Sequence, residues 1–314
     1  MADTHYNRDL VVANILFGAN FSFYVSLTGG GMDFRIIFLC QILVGVVVFV
    51  PAAAVTRTFY RLTLRDAAVM ALVTLLIVYG WLYMLLWGAS LTSPIDASTI
   101  ATLGPAFTLV TAIILRHRRV IWADIAGIIF ALAGGAVLIF DRGEGLVRGS
   151  EGYGNLIVLG AVIAAAVNTV LIKPQLTRLG VRQVLGWCYL MAAAAVTPLI
   201  IRYASADTVR MLSHAALTLR TEILYLLIFG TVLPIYLLYR GAAGLTSVHT
   251  ALYRYIQPVT AGILAVVRGQ AVFDTANVVA LVFIFAGVVL VVIGYKYYVR
   301  HGLPPVGSDG KLRA

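Results

Sequence analysis

The chain carries one hydrophobic unit twice. Residues 88–140 align with residues 241–293 without a gap, at a constant offset of 153 (241 − 88). In this alignment Pro105 falls on Pro258. A repeat of this length constrains the fold before any single residue does, because both copies must form the same structure. We therefore predict an architecture of two equivalent units.

Long apolar runs place both units in a membrane. The chain is 61% hydrophobic and 11% charged, with a mean hydropathy of +0.96, which is outside the range of soluble domains. The runs are about 20 residues long, which is the length that a helix needs to cross a bilayer. They lack the period of two typical of barrel strands. We predict an all-α membrane protein with ten transmembrane helices, at 10–28, 34–55, 66–90, 94–115, 122–140, 154–173, 183–201, 221–240, 246–267 and 275–298.

An odd number of helices in each unit makes the second unit inverted. With five helices per unit, the second copy enters the membrane from the opposite side, and a pseudo-two-fold axis in the membrane plane relates the two. The predicted organisation is a first five-helix repeat at 1–141, an outer-side junction at 142–152, a second five-helix repeat at 153–300 and a tail at 301–314.

The positive charges orient the chain. With the N-terminus inside, fifteen Lys and Arg residues fall on the inner side and seven on the outer side. The positive-inside rule then predicts a multi-pass protein of the bacterial inner membrane with both termini in the cytoplasm. Because the net charge of +10 serves this orientation, we predict membrane lipids as partners and no nucleic acid. The first segment lacks a cleavage pattern, so we expect it to remain as a span.

Arg254 is the most informative single residue. It lies about eight residues into the ninth segment, roughly 12 Å deep at the helical rise. An arginine in the apolar interior costs at least about 2.5–3.5 kcal/mol. Asp96, the obvious acidic partner, begins the fourth segment near the outer surface, so the sequence offers no carboxylate within reach.

Two interpretations of Arg254 remain open. A substrate carboxylate or phosphate could supply the missing anion, because a guanidinium grips such groups in a bidentate manner. Alternatively, tyrosine hydroxyls and backbone carbonyls satisfy a structural arginine. The repeat equivalent of Arg254 is Ala101, so the charge breaks the symmetry, and this favours a substrate role.

Further polar side chains accompany Arg254. Asn20 aligns with Asn168 at an offset of 148 (168 − 20), and each pairs equally well with a neighbouring helix or a cavity. Tyr79 and Tyr83 share one helix face, whereas Tyr239 near a helix end is typical of an interfacial belt. The predicted substrate-binding residues are Arg254, Tyr253, Gln257, Thr250, Asn20, Asn168, Tyr79, Tyr83 and Thr102.

Two repeat-equivalent pairs of residues are candidates for helix hinges and for proton coupling. Pro105 and Pro258 each remove a helical hydrogen bond, so we predict a kink or hinge at both, beside a cavity. Asp96 and His249 are also equivalent and both titrate, which makes them candidates for proton coupling. The simpler explanation, which the sequence favours over coupling, is that they are residues at helix starts in contact with water.

Enzyme signatures are missing from the sequence. It contains no HExxH, no GxSxG and no glycine-rich phosphate loop, and no carboxylates at metal-binding spacing. We therefore predict a protein that is not an enzyme and needs neither metal nor cofactor.

Three stretches of the chain have a characteristic pattern: residues 97–105, Ile256-Gln257-Pro258 and the start 14–20. On these stretches the sequence resembles the drug/metabolite transporter superfamily, in its ten-helix EamA type. It implies a central cavity lined by helices one to four and six to nine, with alternating access. It also implies export or exchange of small metabolites such as amino acids.

These observations predict a secondary transporter of an anionic or zwitterionic small molecule. Two alternatives stay open, a flippase for a lipid-linked phosphate and a membrane scaffold subunit without a substrate. The sequence defines no oligomeric state, and a monomer is plausible.

Overall fold

The described part of the protein is helical and suited to a membrane. The computed structural model describes residues 2–56, 62–115, 150–203 and 217–270 continuously, with residue 205 and scattered helical residues within 122–134 and 275–293. No strand occurs among these residues. Seven of their helices are long and apolar enough to cross a membrane by length and composition. The predicted all-helical membrane class is therefore confirmed.

Eight helical segments, numbered here α1 to α8, make up the continuous ranges. They are α1 (Ala2–Gly29), α2 (Phe34–Val55), α3 (Leu64–Ala89), α4 (Pro94–Ala101 and Gly104–Ile114), α5 (Ser150–Leu179), α6 (Val181–Tyr203), α7 (Leu217–Gly244) and α8 (Ser247–Leu252 and Ile256–Val267). They match predicted helices one to four and six to nine. The fifth and tenth helices, most of the junction and the tail lie outside the continuously described residues, so the count of ten stays a prediction.

Side-chain caps begin the equivalent helices α4 and α8 in the same way. The Ser93 hydroxyl accepts the backbone N–H of Asp96 at 3.1 Å. The Thr246 hydroxyl accepts the N–H of His249 at 3.2 Å. Such caps satisfy donors that the first turn of a helix leaves unpaired, so both helices start at a position that the sequence defines.

Both halves interrupt their helices at matching places. α3 widens into a π-helical segment at Leu76–Tyr83, and α7 does so at Ile228–Val232. α4 breaks after Ala101, and α8 tightens into a 3₁₀ turn at Tyr253–Tyr255. Each of the last two interruptions lies just before a proline, Pro105 or Pro258, which cannot donate the next helical hydrogen bond.

The helices pack in reciprocal pairs. α2 packs against α6, α1 against α7 and α3 against α5. α4 and α8 contact each other, while α1 packs on the second piece of α8 and α5 on the second piece of α4. Each contact therefore has a counterpart in which every helix is replaced by its repeat equivalent.

Candidate functional site

A cavity lies between six helices. α1, α2, α3, α6, α7 and α8 all contribute to its wall, and both π-helical segments face it. The space open to the centres of water molecules is about 100 Å³, several times what a single water requires. Apolar side chains make up most of the wall, and its main polar side chains are Asn14, Asn20, Tyr24, Gln41, Tyr189, Thr231, Tyr239, Arg254 and Gln257.

Arg254 provides the positive charge of this wall. Its guanidinium carbon lies 5.5 Å from the ring centre of Trp81, and Nη2 donates to the Thr169 hydroxyl at 3.3 Å. Nη1 is buried and has no hydrogen-bond partner among the described residues. None of the ion pairs in the described part of the chain involves Arg254, and no described wall residue is Asp or Glu. The guanidinium thus keeps unused donors in a wall without carboxylates.

The side chain of Arg254 reaches its place across a glycine. A Cβ atom added to Gly104 would lie 3.1 Å from Nη1 and 3.2 Å from Cδ of Arg254. These distances are shorter than ordinary van der Waals contacts. Gly104, directly after the break in α4, therefore leaves room for the guanidinium and its stem.

Two amide side chains in the wall hold defined orientations. Asn20 Nδ2 donates to the Gly230 carbonyl at 2.9 Å. Gln41 Nε2 donates to the Thr231 hydroxyl at 2.8 Å, and that hydroxyl must accept because its own proton goes to the Leu226 carbonyl at 2.8 Å. The carbonyl oxygens Asn20 Oδ1 and Gln41 Oε1 are buried and lack a hydrogen-bond partner among the described residues.

A pair of amide side chains links α1 to α8. Gln257 Nε2 donates to Asn14 Oδ1 at 2.7 Å, and Asn14 Nδ2 donates to the Leu10 carbonyl at 2.7 Å. Gln257 is one turn from Arg254, so this bond fixes the part of α8 that carries the charge.

The structure brings three of the nine predicted substrate-binding residues into the cavity wall. Arg254, Gln257 and Asn20 line it. Asn168 is buried beside the Tyr239 hydroxyl and does not line the cavity. The remaining residues, which lie outside the wall, are Tyr253, Thr250, Tyr79, Tyr83 and Thr102.

The residues outside the wall make contacts between or within helices. The Tyr79 hydroxyl donates to the Ala195 carbonyl at 2.7 Å, which joins α3 to α6. Tyr83 packs edge-on against Phe34 and Phe38. The Tyr253 hydroxyl donates to Asn7 Oδ1 at 2.8 Å.

The two threonines outside the wall lie within the broken helices. Thr102 donates to the Thr99 carbonyl, and Thr250 is buried in the first piece of α8. A role of the five outer residues in binding substrate stays a prediction.

Asp96 and His249 occupy the third position after their helix caps. Asp96 is only 2% exposed, and His249 stacks on Tyr253 at 5.8 Å. For Asp96, burial replaces the predicted contact with water. Proton coupling through either residue stays a prediction.

Several wall residues escaped prediction from the sequence. Tyr239, interpreted as an interfacial residue, is 7% exposed and lines the cavity, so that interpretation is wrong. Gln41 and Thr231 were not singled out. Gln41 is an isolated amide in the apolar helix α2, and a polar side chain within a membrane helix is a signal that could have identified it.

Comparison with known proteins identifies the second half of the chain. Residues 152–293 match the model of the EamA-like transporter family. Over these residues the chain is similar to that family. The predicted resemblance to EamA-type transporters is thereby confirmed, and the EamA-like half supplies α5 to α8, including Arg254.

Two further proteins are similar over most of the chain. The uncharacterized transporter YetK of Bacillus subtilis (strain 168) is 22% identical over 262 residues, which is 81% of this chain and 77% of YetK. A protein of known crystal structure is 20% identical, with a TM-score of 0.64, over 92% of this chain and 96% of its own. The second likeness concerns the fold alone. With the EamA-like half, the YetK match supports a membrane transporter.

Proposed function

We propose that the protein is a secondary transporter that moves a small metabolite through the cavity by alternating access. The solute carries an acidic group, so it is anionic or zwitterionic, as amino acids are. Arg254 binds that group, and the surrounding wall binds the rest of the molecule. Export or exchange across the bacterial inner membrane, with both termini cytoplasmic, completes the proposal.

The observation that carries this proposal is the state of the Arg254 side chain. A buried guanidinium with an unpartnered Nη1 in a wall without carboxylates is a site to which an anion contributes charge-assisted hydrogen bonds. A carboxylate accepts two parallel bonds from the same guanidinium, which fixes its orientation as well as its position.

The arrangement of helices supports alternating access. The repeat alignment, the matching interruptions and the reciprocal contacts are those expected of two inverted five-helix units around a pseudo-two-fold axis. In transporters of that kind, interrupted helices lie next to the substrate site, and rocking of one unit against the other exposes the site to each side in turn.

The alternatives fit the site less well. A scaffold subunit without a substrate predicts a dry centre in which each guanidinium nitrogen has a protein acceptor, in contrast to the cavity and to Arg254 Nη1. A flippase for a lipid-linked phosphate needs a wall that opens laterally to the bilayer. A cavity of about 100 Å³ bounded by six helices favours a small water-soluble metabolite instead.

The test compares Arg254 variants of the full chain in proteoliposomes. A panel of carboxylates and amino acids is first screened for thermal stabilisation, because a ligand of the folded state raises its stability. Uptake of the most stabilising compound, radiolabelled, is then measured. Arg254→Ala and Arg254→Lys should reduce it about 30-fold or more, the usual effect of removing one partner of a buried charge pair.

The matched control is Arg35→Lys. Arg35 lies at the start of α2, pairs with Asp33 and contacts the Tyr203 ring outside the cavity wall, so uptake should stay close to that of the wild type. Full uptake by the Arg254 variants, with unchanged melting temperatures, would overturn the proposal. Absence of any stabilising acidic compound would do so as well.

A further inference from the structure

We propose that Asn20 and Gln41 form a second subsite, which binds a protonated primary amino group of the transported molecule. This inference rests on the proposed function, in which Arg254 holds the acidic group of the same solute. The two subsites together select amino acids over simple carboxylates of the same carbon skeleton.

The subsite consists of two buried acceptors. Asn20 is 2% exposed and Gln41 is 1% exposed, and both line the cavity. Oδ1 of Asn20 and Oε1 of Gln41 lack hydrogen-bond partners in the described part of the chain. A buried acceptor without a donor is costly, so both oxygens favour a ligand that donates.

The surrounding contacts prevent the amides from turning over. The NH₂ groups of Asn20 and Gln41 both donate toward the Tyr24 hydroxyl oxygen, at 3.4 and 3.2 Å. Their stronger bonds go to the Gly230 carbonyl and the Thr231 hydroxyl in the π-helical segment of α7. Rotating the Asn20 amide by half a turn would set its oxygen against the Gly230 carbonyl oxygen. Rotating the Gln41 amide would take its donor away from the Thr231 hydroxyl, whose own proton goes to the Leu226 carbonyl.

A primary ammonium matches this arrangement better than other polar groups. It has three donors and no acceptor, and the two amides offer acceptors. No Asp or Glu among the described wall residues competes with them for the ammonium group. Hydrogen bonds to a charged group are about twice as strong as those between neutral groups. A carboxylate or phosphate would meet oxygens here and be repelled, which leaves Arg254 as the place for the acidic end.

Gly230 leaves the space that the Asn20 oxygen occupies. A Cβ atom added to Gly230 would lie 2.6 Å from Oδ1 of Asn20. The π-helical segment of α7 therefore both receives the Asn20 amide through its carbonyl and makes room for the free oxygen. Gly230→Ala displaces this oxygen without removing the amide.

The experiment uses three probes with one apolar skeleton. L-leucine, 4-methylpentanoate and 3-methylbutylamine are compared as competitors of uptake and as thermal stabilisers of the full chain; parallel sets with alanine and phenylalanine skeletons cover smaller and larger sizes. The amino acid of the fitting size, L-leucine or its counterpart, should bind at least about tenfold more tightly than the matching carboxylate. The carboxylate lacks the ammonium group and therefore the charged hydrogen bonds that this group makes.

Variants assign the effect to the subsite. Gln41→Leu and Gly230→Ala should reduce the preference for the amino acid over the carboxylate to less than about threefold, because the amino acid loses more affinity than the carboxylate does. The control is Asn155→Ala. Asn155 is an equally buried amide, bonded to Thr92 outside the cavity wall, and its loss should leave the preference intact.

The outcomes separate this inference from the proposed function. Equal binding of amino acid and carboxylate by the wild type, or an unchanged preference in both subsite variants, overturns the ammonium subsite and leaves the role of Arg254 standing. If neither probe with a carboxylate binds in any size class, the proposed function fails as well. Loss of the preference in the subsite variants alone supports the subsite.

Discussion

At the scale of single residues, the energetics of Arg254 explain how the cavity tolerates a charge. Placing an arginine in a membrane interior costs about 2.5–3.5 kcal/mol on insertion scales. A desolvated cation–π contact such as that with Trp81 offsets about 2 kcal/mol, and the 3.3 Å bond to Thr169 adds about 1 kcal/mol at most. These contacts therefore nearly balance the cost of the charge and leave Nη1 available to donate to a solute.

Gly104→Ala tests how strongly the binding of an acidic solute depends on the position of the Arg254 guanidinium. The added methyl group would lie 3.1 Å from Arg254 Nη1 and 3.2 Å from Cδ, so the guanidinium must move by a few tenths of an ångström. We expect the apparent affinity for an acidic solute to fall about threefold to tenfold, because charge-assisted bonds depend strongly on geometry. Competition of uptake by 4-methylpentanoate and L-leucine measures the effect.

Gly29→Ala is the matched control for Gly104→Ala. A Cβ atom at Gly29 has no neighbour within 4 Å, so affinity and melting temperature should remain unchanged. If Gly104→Ala shows wild-type affinity, Arg254 does not depend on the space at Gly104. If Gly104→Ala lowers the solute affinity of a protein that already carries Arg254→Ala, Gly104 acts through something other than the guanidinium.

At the scale of helices, the interruptions concentrate where the two halves meet the cavity. Both π-helical segments face it, and α8 carries Arg254 within its 3₁₀ turn. π-helical turns are frequent at functional sites because they widen the backbone locally. The breaks in α4 and α8 are predictable from Pro105 and Pro258. The sequence pattern around Leu76–Tyr83, by contrast, does not predict a π-helical segment.

Pro258→Ala should separate motion from binding. Alanine supplies the N–H that can bond the carbonyl of Arg254, which straightens α8 across its turn. We expect the maximal transport rate to fall several-fold, with solute affinity within about twofold of the wild type and an equal or higher melting temperature. Initial uptake rates over a range of solute concentrations separate the two quantities.

Pro51→Ala serves as the control for Pro258→Ala. Pro51 also lies inside a helix, α2, but it is exposed and outside the cavity wall. Its replacement should leave the transport rate unchanged. A wild-type rate in Pro258→Ala would mean that the interruption of α8 has no part in the transport cycle.

At the scale of the whole molecule, the sequence predicted the frame better than the cavity wall. Apolar length and the repeat fix which residues form helices, so the equivalence of α1 to α4 with α5 to α8 follows from alignment alone. The wall depends on how each helix is rotated about its axis, and in a membrane neither face of an apolar helix is marked by polarity. Tyr239 therefore escaped prediction, while Tyr79 and Tyr83 turned toward neighbouring helices.

Polar contacts join α1 to α7 at both ends. At the end predicted to be cytoplasmic, the buried carboxylate of Asp9 accepts two bonds from Arg240. At the other end, Arg268, directly after α8, pairs with Glu222 of α7 and donates to Ser26 of α1 at 3.1 Å. Alternating access requires one end to separate while the other stays closed, so each ion pair should stabilise closure of its own end.

Labelling of Cys188 tests this expectation. Cys188 lies in the cavity wall and is 5% exposed; Cys40, which is outside the wall, is replaced by alanine as background. Both arginines are partly exposed, so removing one partner costs on the order of 1 kcal/mol. That is a severalfold shift of a conformational equilibrium. Glu222→Gln should therefore raise the rate at which a membrane-impermeant thiol reagent modifies Cys188 from the outer side, and Asp9→Asn should raise the rate from the cytoplasmic side. Equal changes from both sides in either variant would show that the pairs hold the fold together without controlling access.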